Sequence, residues 1–295
     1  MHWADGFIAV DWGTTNRRAY LIDRGGRCTD EMSDGRGVLS IARGEFPFAV
    51  QEIRQRLGDR PLLLAGMAGS TRGWMDAAYL PCPIGLDELA TSLVWAEPGR
   101  SAIIHGVCNV GDGRADIMRG EEVQILGAVA AGSIPADCTV CHPGTHNKWI
   151  EVRAGRIDKF RTVMTGEMFN LLKKRSILSE HLQGPVEVGE AFLSGVRRGL
   201  SAGVLTAELF SVRARSLLGK LADEDAAPFA SGLLIGADVA SAAGSLSDKD
   251  VFVMGSPKLT ALYAAALRET GHEPMQVDGE EAFIAGAVRI AEMIE

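Results

Sequence analysis

The sequence predicts an α/β protein of two lobes, and three observations predict it. The chain has 295 residues, 46% hydrophobic and 23% charged, enough to build two cores. Short apolar strands alternate with helix-period segments along its length. The chain also repeats itself: DWGTTNRRAYL (Asp11 to Leu21) aligns with HPGTHNKWIEV (His142 to Val152). Gly13 then meets Gly144, Thr14 meets Thr145, Asn16 meets Asn147 and Arg17 meets Lys148, all at one constant offset.

In the first half, the apolar strand FIAV runs into the Gly-Thr turn and out along RAYLID. A third strand follows at RCTDEM, then an amphipathic helix from Glu45 to Leu57, strands PLLLAG and AIIHGV, and a helix from Glu121 to Ala131. GSIPAD, near Ser133 to Asp137, breaks that helix with Gly and Pro, so the predicted lobes are 1–136 and 137–295. The second half begins with CTVC, the Gly-Thr turn and WIEV, then the strand RIDKFRTVM. Helices beginning near Glu167, Val186 and Leu205 follow, then a small-residue helix around SGLLIGADVASAAG. Gly232, Gly236 and Ala240 in that helix would allow close packing across a hinge, and ordinary helix packing explains them equally well. The strand DVFVMG, a helix from Pro257 to Glu269, the strand PMQV and a helix from Gly279 complete the pattern.

Each strand–Gly-Thr–strand unit makes a hairpin whose tip presents backbone N–H groups, a threonine hydroxyl and a nearby cation, a combination that suits phosphate. Two α/β lobes, each headed by such a hairpin, describe a nucleotide cleft between lobes. Neither G-x-x-x-x-G-K-[ST] nor a post-strand G-x-G-x-x-G is present, so the commoner nucleotide folds are unsupported.

A net charge of −8 disfavours nonspecific attraction to nucleic acid or an anionic membrane. The N-terminus has no signal-peptide pattern and no run approaches the roughly 18 apolar residues of a membrane span, so a cytoplasmic protein is expected. Five cysteines in a long chain read as reduced thiols. Cys138-Thr-Val-Cys141-His142 spells the C-x-x-C-H of haem attachment, and His146 would add a fourth zinc donor. No second ligand pair follows, however, and the strand period makes these cysteines sheet residues beside the second hairpin.

The segments AVDWGTTNRRAY, LAGMAGSTRGW with YLPCP, IMRGEEVQILGA, HPGTHNKW, FRTVMTGEM, SGLLIGADV, MGSPKLT and DGEEAFIAGAVRIA occur in order along the chain. In them the chain resembles the sugar kinase, Hsp70 and actin superfamily, and within it the 2-dehydro-3-deoxygalactonokinase family. The resemblance implies two ribonuclease-H-like lobes of the actin-like ATPase fold. It also implies ATP- and Mg²⁺-dependent phosphorylation of the terminal (C6) hydroxyl of 2-dehydro-3-deoxy-D-galactonate, in D-galactonate catabolism. Other sugar acids, amino sugars and a nucleotide-dependent regulatory role on the same fold stand as alternatives, and homo-oligomerisation is left open. One departure is His142-Pro143, where many superfamily members carry an acid before the second Gly-Thr. The second hairpin is therefore expected to touch phosphate without offering a metal-binding carboxylate.

Phosphoryl transfer needs its charge neutralised, its acceptor aligned and its proton received. Asp11, ending a strand beside the first hairpin, is the candidate metal-associated acid. Gly13, Thr14, Thr15, Gly144, Thr145 and Lys148 are candidate phosphate contacts, and Gly255 and Ser256 the candidate adenosine contacts. Glu121 is the favoured base with Glu122 its rival, because relatives place the catalytic acid at a similar strand-to-helix junction; Asp112 and Asp116 remain possible. Arg18, Arg72 and Arg119 are candidate partners for a substrate carboxylate, with Trp74 as a pocket wall.

Overall fold

The computed structural model describes residues 3–111, 114–246 and 250–294. In chain order the elements are β1 (Phe7–Trp12), β2 (Arg17–Ile22), β3 (Cys28–Asp34), α1 (Phe46–Leu57), β4 (Leu62–Gly66), β5 (Tyr79–Pro81), α2 (Leu86–Thr91), β6 (Val94–Glu97), β7 (Ser101–Ile103), β8 (Gly106–Gly111), β9 (Arg114–Met118) and α3 (Glu121–Ala130). After them come β10 (Cys138–His142), β11 (Asn147–Arg153), β12 (Arg156–Val163), α4 (Thr165–Arg175), α5 (Glu190–Leu200), α6 (Leu205–Leu217), α7 (Asp223–Ala242), β13 (Val251–Met254), α8 (Pro257–Arg268), β14 (Met275–Val277) and α9 (Gly279–Ala291).

Two sheets carry the fold. The first runs β3-β2-β1-β4-β7-β6 and the second β12-β11-β10-β13-β14. The five-strand path β3-β2-β1-β4-β7 recurs as β12-β11-β10-β13-β14, so the repeat in sequence is also a repeat of topology. In the first sheet β1 pairs antiparallel with β2 (Asp11 opposite Arg18) and parallel with β4 (Asp11 opposite Ala65). In the second, β10 runs parallel to β13, and β13 to β14.

The chain divides into two compact units. The first groups the described residues of Met1–Asp137, Val152–Phe160 and Asp278–Glu295; the second groups Cys138–Glu151 and Arg161–Val277. This corrects the expected 1–136 and 137–295 division, because the C-terminal helix returns to the first unit. The cause is local: a Cβ at Gly127 of α3 would lie 2.0 Å from Ala282 O, and one at Gly286 of α9 2.2 Å from Val123 O. Only glycines let these helices approach so closely, and α9 therefore packs on α3.

Alternation along β1 buries Ile8, Val10 and Trp12 against Phe46, Val50 and Ile53 of α1. The other face of β1 carries Asp11, and the register places Arg18 and Tyr20 of β2 on that face too. In the second unit, Cys141, Trp149, Phe192, Val196, Val253 and Tyr263 share one core, and Phe229 and Leu233 of α7 lie in another with Leu178 and Leu209.

Four further expectations are revised. AIIHGV is not one strand: β7 ends at Ile103 and β8 begins at Gly106, with His105 Nδ1 hydrogen-bonded to Ala78 O at 2.8 Å. Asp116, expected with Asp112 in a loop that holds Gly111 and Gly113, lies in β9 of a small β5-β8-β9 sheet, while Asp112 lies outside the described residues. α5 begins at Glu190 instead of near Val186, after Gly184, Pro185 and Gly189. The small residues of α7 serve no hinge: Gly232 and Gly236 meet Gly195 and Gly199 of α5 inside the second unit, where added Cβ atoms would come within 2.2 to 2.3 Å of facing carbonyls.

Candidate functional site

The first unit gathers its acids at the carboxyl ends of β1 and β4. Gly66 ends β4 with φ +80° and lies against Asp11 and Trp12, and Gly120 (φ +104°), just before α3, lies against Gly66: a Cβ on Gly120 would stand 3.2 Å from the Gly66 Cα. This close approach brings the α3 N-terminus beside Asp11. Burial pushes the Asp11 carboxyl up to about 6; Arg18 opposes the shift and Glu121 adds to it. A half-buried carboxylate crowded by a second acid is one that a cation stabilises. Mg²⁺ commonly takes one or two protein carboxylates plus phosphate oxygens, so a single Asp11 fits it.

Glu121 and Glu122 open α3, and the helix terminus separates them. Glu121 is half-buried and its Oε2 accepts from the Arg119 N–H at 3.2 Å. Glu122 is fully buried, its Oε2 accepts from the Gly120 N–H at 2.6 Å, and its Oε1 has no hydrogen-bond partner among the described residues. Burial first, and Glu121 second, push its carboxyl up to about 8, so Glu122 is neutral at pH 7.

The arginines divide as well. Arg119 stacks on Tyr79 with its guanidinium carbon 4.3 Å from the ring centroid, and its Nη2 donates to Ala77 O at 2.6 Å. Its Nε and Nη1 are buried with no hydrogen-bond partner among the described residues. Gly69 makes room for it, since a Cβ there would lie 2.6 Å from Nη1. Trp74 is half-buried and packs on the first core, while Arg72, in the same loop, is exposed. Arg18 is half-exposed and stands 3.8 Å from Glu280 of α9, on the Asp11 face of the sheet.

The two hairpin tips are built alike. Gly37 N–H donates to Thr15 O at 3.0 Å, Val38 N–H to Gly13 O at 3.0 Å and Leu39 N–H to Thr14 O at 3.2 Å. In the second unit Glu167 N–H donates to Thr145 O at 2.8 Å. A glycine seats each clamp, for Cβ atoms on Gly37 and Gly166 would lie 2.4 Å from the carbonyl oxygens of Thr14 and Gly144 respectively. With these carbonyls tied down, Thr14 and Thr15 remain exposed.

The basic residues after the two tips behave differently from the sequence expectation. Arg17 is buried and bound to Asp34 at 2.6 Å and to Ala49 O at 3.1 Å, a structural role. Lys148 is also buried, with Nζ donating to His146 O at 3.1 Å, so in this conformation its ammonium braces the tip. Cys138 and Cys141 are buried in β10 three residues apart and hence on opposite faces of the sheet, which denies them a common metal ion or haem. Cys141 Sγ donates to Asn147 Oδ1 at 3.4 Å.

A cavity of about 410 Å³ opens at the second hairpin, lined by Gly144 and Thr145 together with Lys173, Lys174, Lys258 and Leu262. Three ammonium groups beside a hairpin tip suit a polyphosphate, and Leu262 with its neighbours supplies an apolar wall. Gly255 and Ser256 lie at the entry to α8 in the same unit, with Gly255 packed near Pro143 O (3.1 Å to an added Cβ). Sequence reasoning missed the lysines. LLKKR reads as an ordinary basic helix end, and Lys258 sits inside the MGSPKLT motif two residues past the serine.

The chain matches the 2-keto-3-deoxy-galactonokinase family over residues 11–290. It belongs to that family. A 2-dehydro-3-deoxygalactonokinase from Escherichia coli (strain K12) is 37% identical over 298 residues, covering 98% of each chain. The crystal structure of a Sinorhizobium meliloti protein assigned as a 2-dehydro-3-deoxygalactonokinase superposes with a TM-score of 0.90 at 34% identity, covering 97% of this chain and 98% of that one. At fold level only, the chain is similar to the ADPNP-bound activator of the 2-hydroxyisocaproyl-CoA dehydratase from Clostridium difficile, with a TM-score of 0.53 at 11% identity over 97% of this chain and 94% of that one. The family member described here thus has the actin-like ATPase fold. No described helix is long and apolar enough to cross a membrane.

Proposed function

We infer that this family member is a sugar-acid kinase that transfers the γ-phosphate of ATP to the terminal (C6) hydroxyl of 2-dehydro-3-deoxy-D-galactonate. The observation that carries the reading is the strand-end acid Asp11 beside a helix opened by an ionisable Glu121, in a chain matched to its family over residues 11–290.

Glu121 accepts the proton of the attacking hydroxyl. It is the one of the two glutamates that is partly open to solvent, whereas Glu122 is fully buried with its carboxyl pushed up to about 8. Arg119, with two buried N–H groups left for an acceptor, takes the substrate carboxylate or keto oxygen, and Trp74 walls that side. Arg18 offsets charge at Asp11. Asp11 would hold Mg²⁺, directly or through water, and the ion when bound would supply charge neutralisation to the phosphates. The first tip offers Gly13, Thr14 and Thr15 to phosphate, and the second offers Gly144 and Thr145. Lys173, Lys174 and Lys258 gather the nucleotide's negative charge in the second unit, with Gly255 and Ser256 at the adenosine end.

Identification of the product by ³¹P-coupled NMR tests this reading. Phosphorus coupled to the C6 methylene protons is expected; coupling to any other position, or ATP hydrolysis with no phosphorylated acid, contradicts it.

A further inference from the structure

One carboxylate in the second unit joins three walls of the cavity described above. Asp238 of α7 is 2% exposed, and four side chains from three other elements donate to it. Trp149 Nε1 reaches Oδ1 at 2.8 Å; Asn147 Nδ2, Thr165 Oγ1 and Tyr263 OH reach Oδ2 at 3.0, 2.5 and 2.6 Å. All four donors are neutral, so hydrogen bonds and not an ion pair hold this side chain in place. Burial and the neighbouring carboxylate hold the Tyr263 hydroxyl well above its usual range, which keeps it protonated and donating.

Each donor sits on an element that shapes the cavity. Asn147 begins the return strand of the second hairpin, two residues past Thr145, and its amide is oriented from the other side by Cys141. Thr165 opens α4, where Gly166 and Glu167 clamp the Gly144–Thr145 tip and Lys173 and Lys174 line the cavity. Tyr263 lies on α8 one residue after Leu262, on the helix that also contributes Lys258.

We propose that Asp238 is a positioning residue for the nucleotide, fixing the hairpin tip, the α4 lysines and the α8 lysine in one geometry. The proposal rests on the assignment of the nucleotide to this cavity. It predicts a split effect: loss of the carboxylate weakens nucleotide binding and leaves affinity for the sugar acid, whose contacts are assigned to the first unit, unchanged.

The test is direct titration of full-length wild type, Asp238→Asn, Tyr263→Phe and Thr165→Val with a fluorescent ATP analogue, alongside thermal melts and KM for both substrates. Asp238→Asn is expected to weaken nucleotide binding and raise the KM for ATP about 10- to 100-fold, at temperatures where it stays folded, with the sugar-acid KM within twofold of wild type. Tyr263→Phe and Thr165→Val are expected to weaken binding about 3- to 10-fold each. These two decide the matter if the asparagine variant does not fold. Folded variants that melt earlier yet bind nucleotide as wild type does would overturn the proposal, as would equal increases in both KM values. A wild type that binds no ATP analogue would instead remove the nucleotide assignment on which the proposal stands.

Discussion

Glu121 and Glu122 are chemically identical and adjacent in sequence, yet Glu121 is partly open to solvent while Glu122 is fully buried and its carboxyl is pushed up to about 8. The assignment of the base follows from that difference. Glu121→Gln is expected to lower kcat about 10²- to 10⁴-fold with nucleotide binding intact, measured by coupled ADP release. Glu122→Gln is expected to keep kcat within about tenfold. Its stability should respond to pH in a defined direction. Glu122 holds its proton in the folded protein up to about pH 8, whereas its unfolded carboxyl releases it near the ordinary glutamate value of 4.5. Between these values the folded state binds more protons, so wild-type stability falls as pH rises through the window. The glutamine variant escapes that loss. Urea melts should therefore show it gaining on wild type, by on the order of 2 kcal/mol at pH 8 and little at pH 4.5; equal differences at both pH values would contradict this. The sequence placed both glutamates at the right helix end but did not rank them by burial. The ranking depends on how deeply α3 seats at Gly127 and Gly286, a tertiary contact.

At the scale of elements, glycine contacts decide what packs where. Gly127→Ala would thrust a methyl carbon to 2.0 Å from Ala282 O and is expected to cost about 1–3 kcal/mol, lowering Tm by several degrees in a scanning melt. Gly35→Ala, with nothing within 4 Å of its added Cβ, should leave Tm nearly unchanged. Comparable melts for the two variants would refute the packing account. Long apolar strands and long helices were legible because their periodicity is dictated by burial. The three-residue β5 and the six-residue α2 were not, because YLP and LDELAT carry too little pattern to distinguish from a loop; β7 was read, but merged with β8. β9 escaped for another reason: RADI of its RADIM is largely solvent-facing and reads as polar loop. The GT-x-N hairpins were the clearest local signal, since Gly-Thr twice at one offset specifies two equivalent turns. The cation after each turn misled: Arg17 is committed to Asp34, and Lys148 is folded back on His146 O.

For the molecule as a whole, the internal repeat exposed the duplicated topology, but the return of Asp278–Glu295 to the first unit was not visible in it. Domain membership depends on which surface a terminal helix finds, and only the complementary glycines of α3 and α9 reveal it. Removal of residues 278–295 should accordingly unfold the first unit before the second, seen as early loss of amide-exchange protection in β1 and α3; simultaneous loss in both units would argue against this assignment. The central claim is catalysis of phosphoryl transfer to one sugar acid. Its most direct test is ADP release by the full-length protein with Mg·ATP and, in turn, 2-dehydro-3-deoxy-D-galactonate, its gluconate epimer, D-galactonate and N-acetylglucosamine. Turnover strongly favouring the first acceptor is predicted. Folded, nucleotide-binding protein that releases ADP no faster with any of the four than with none would contradict the account.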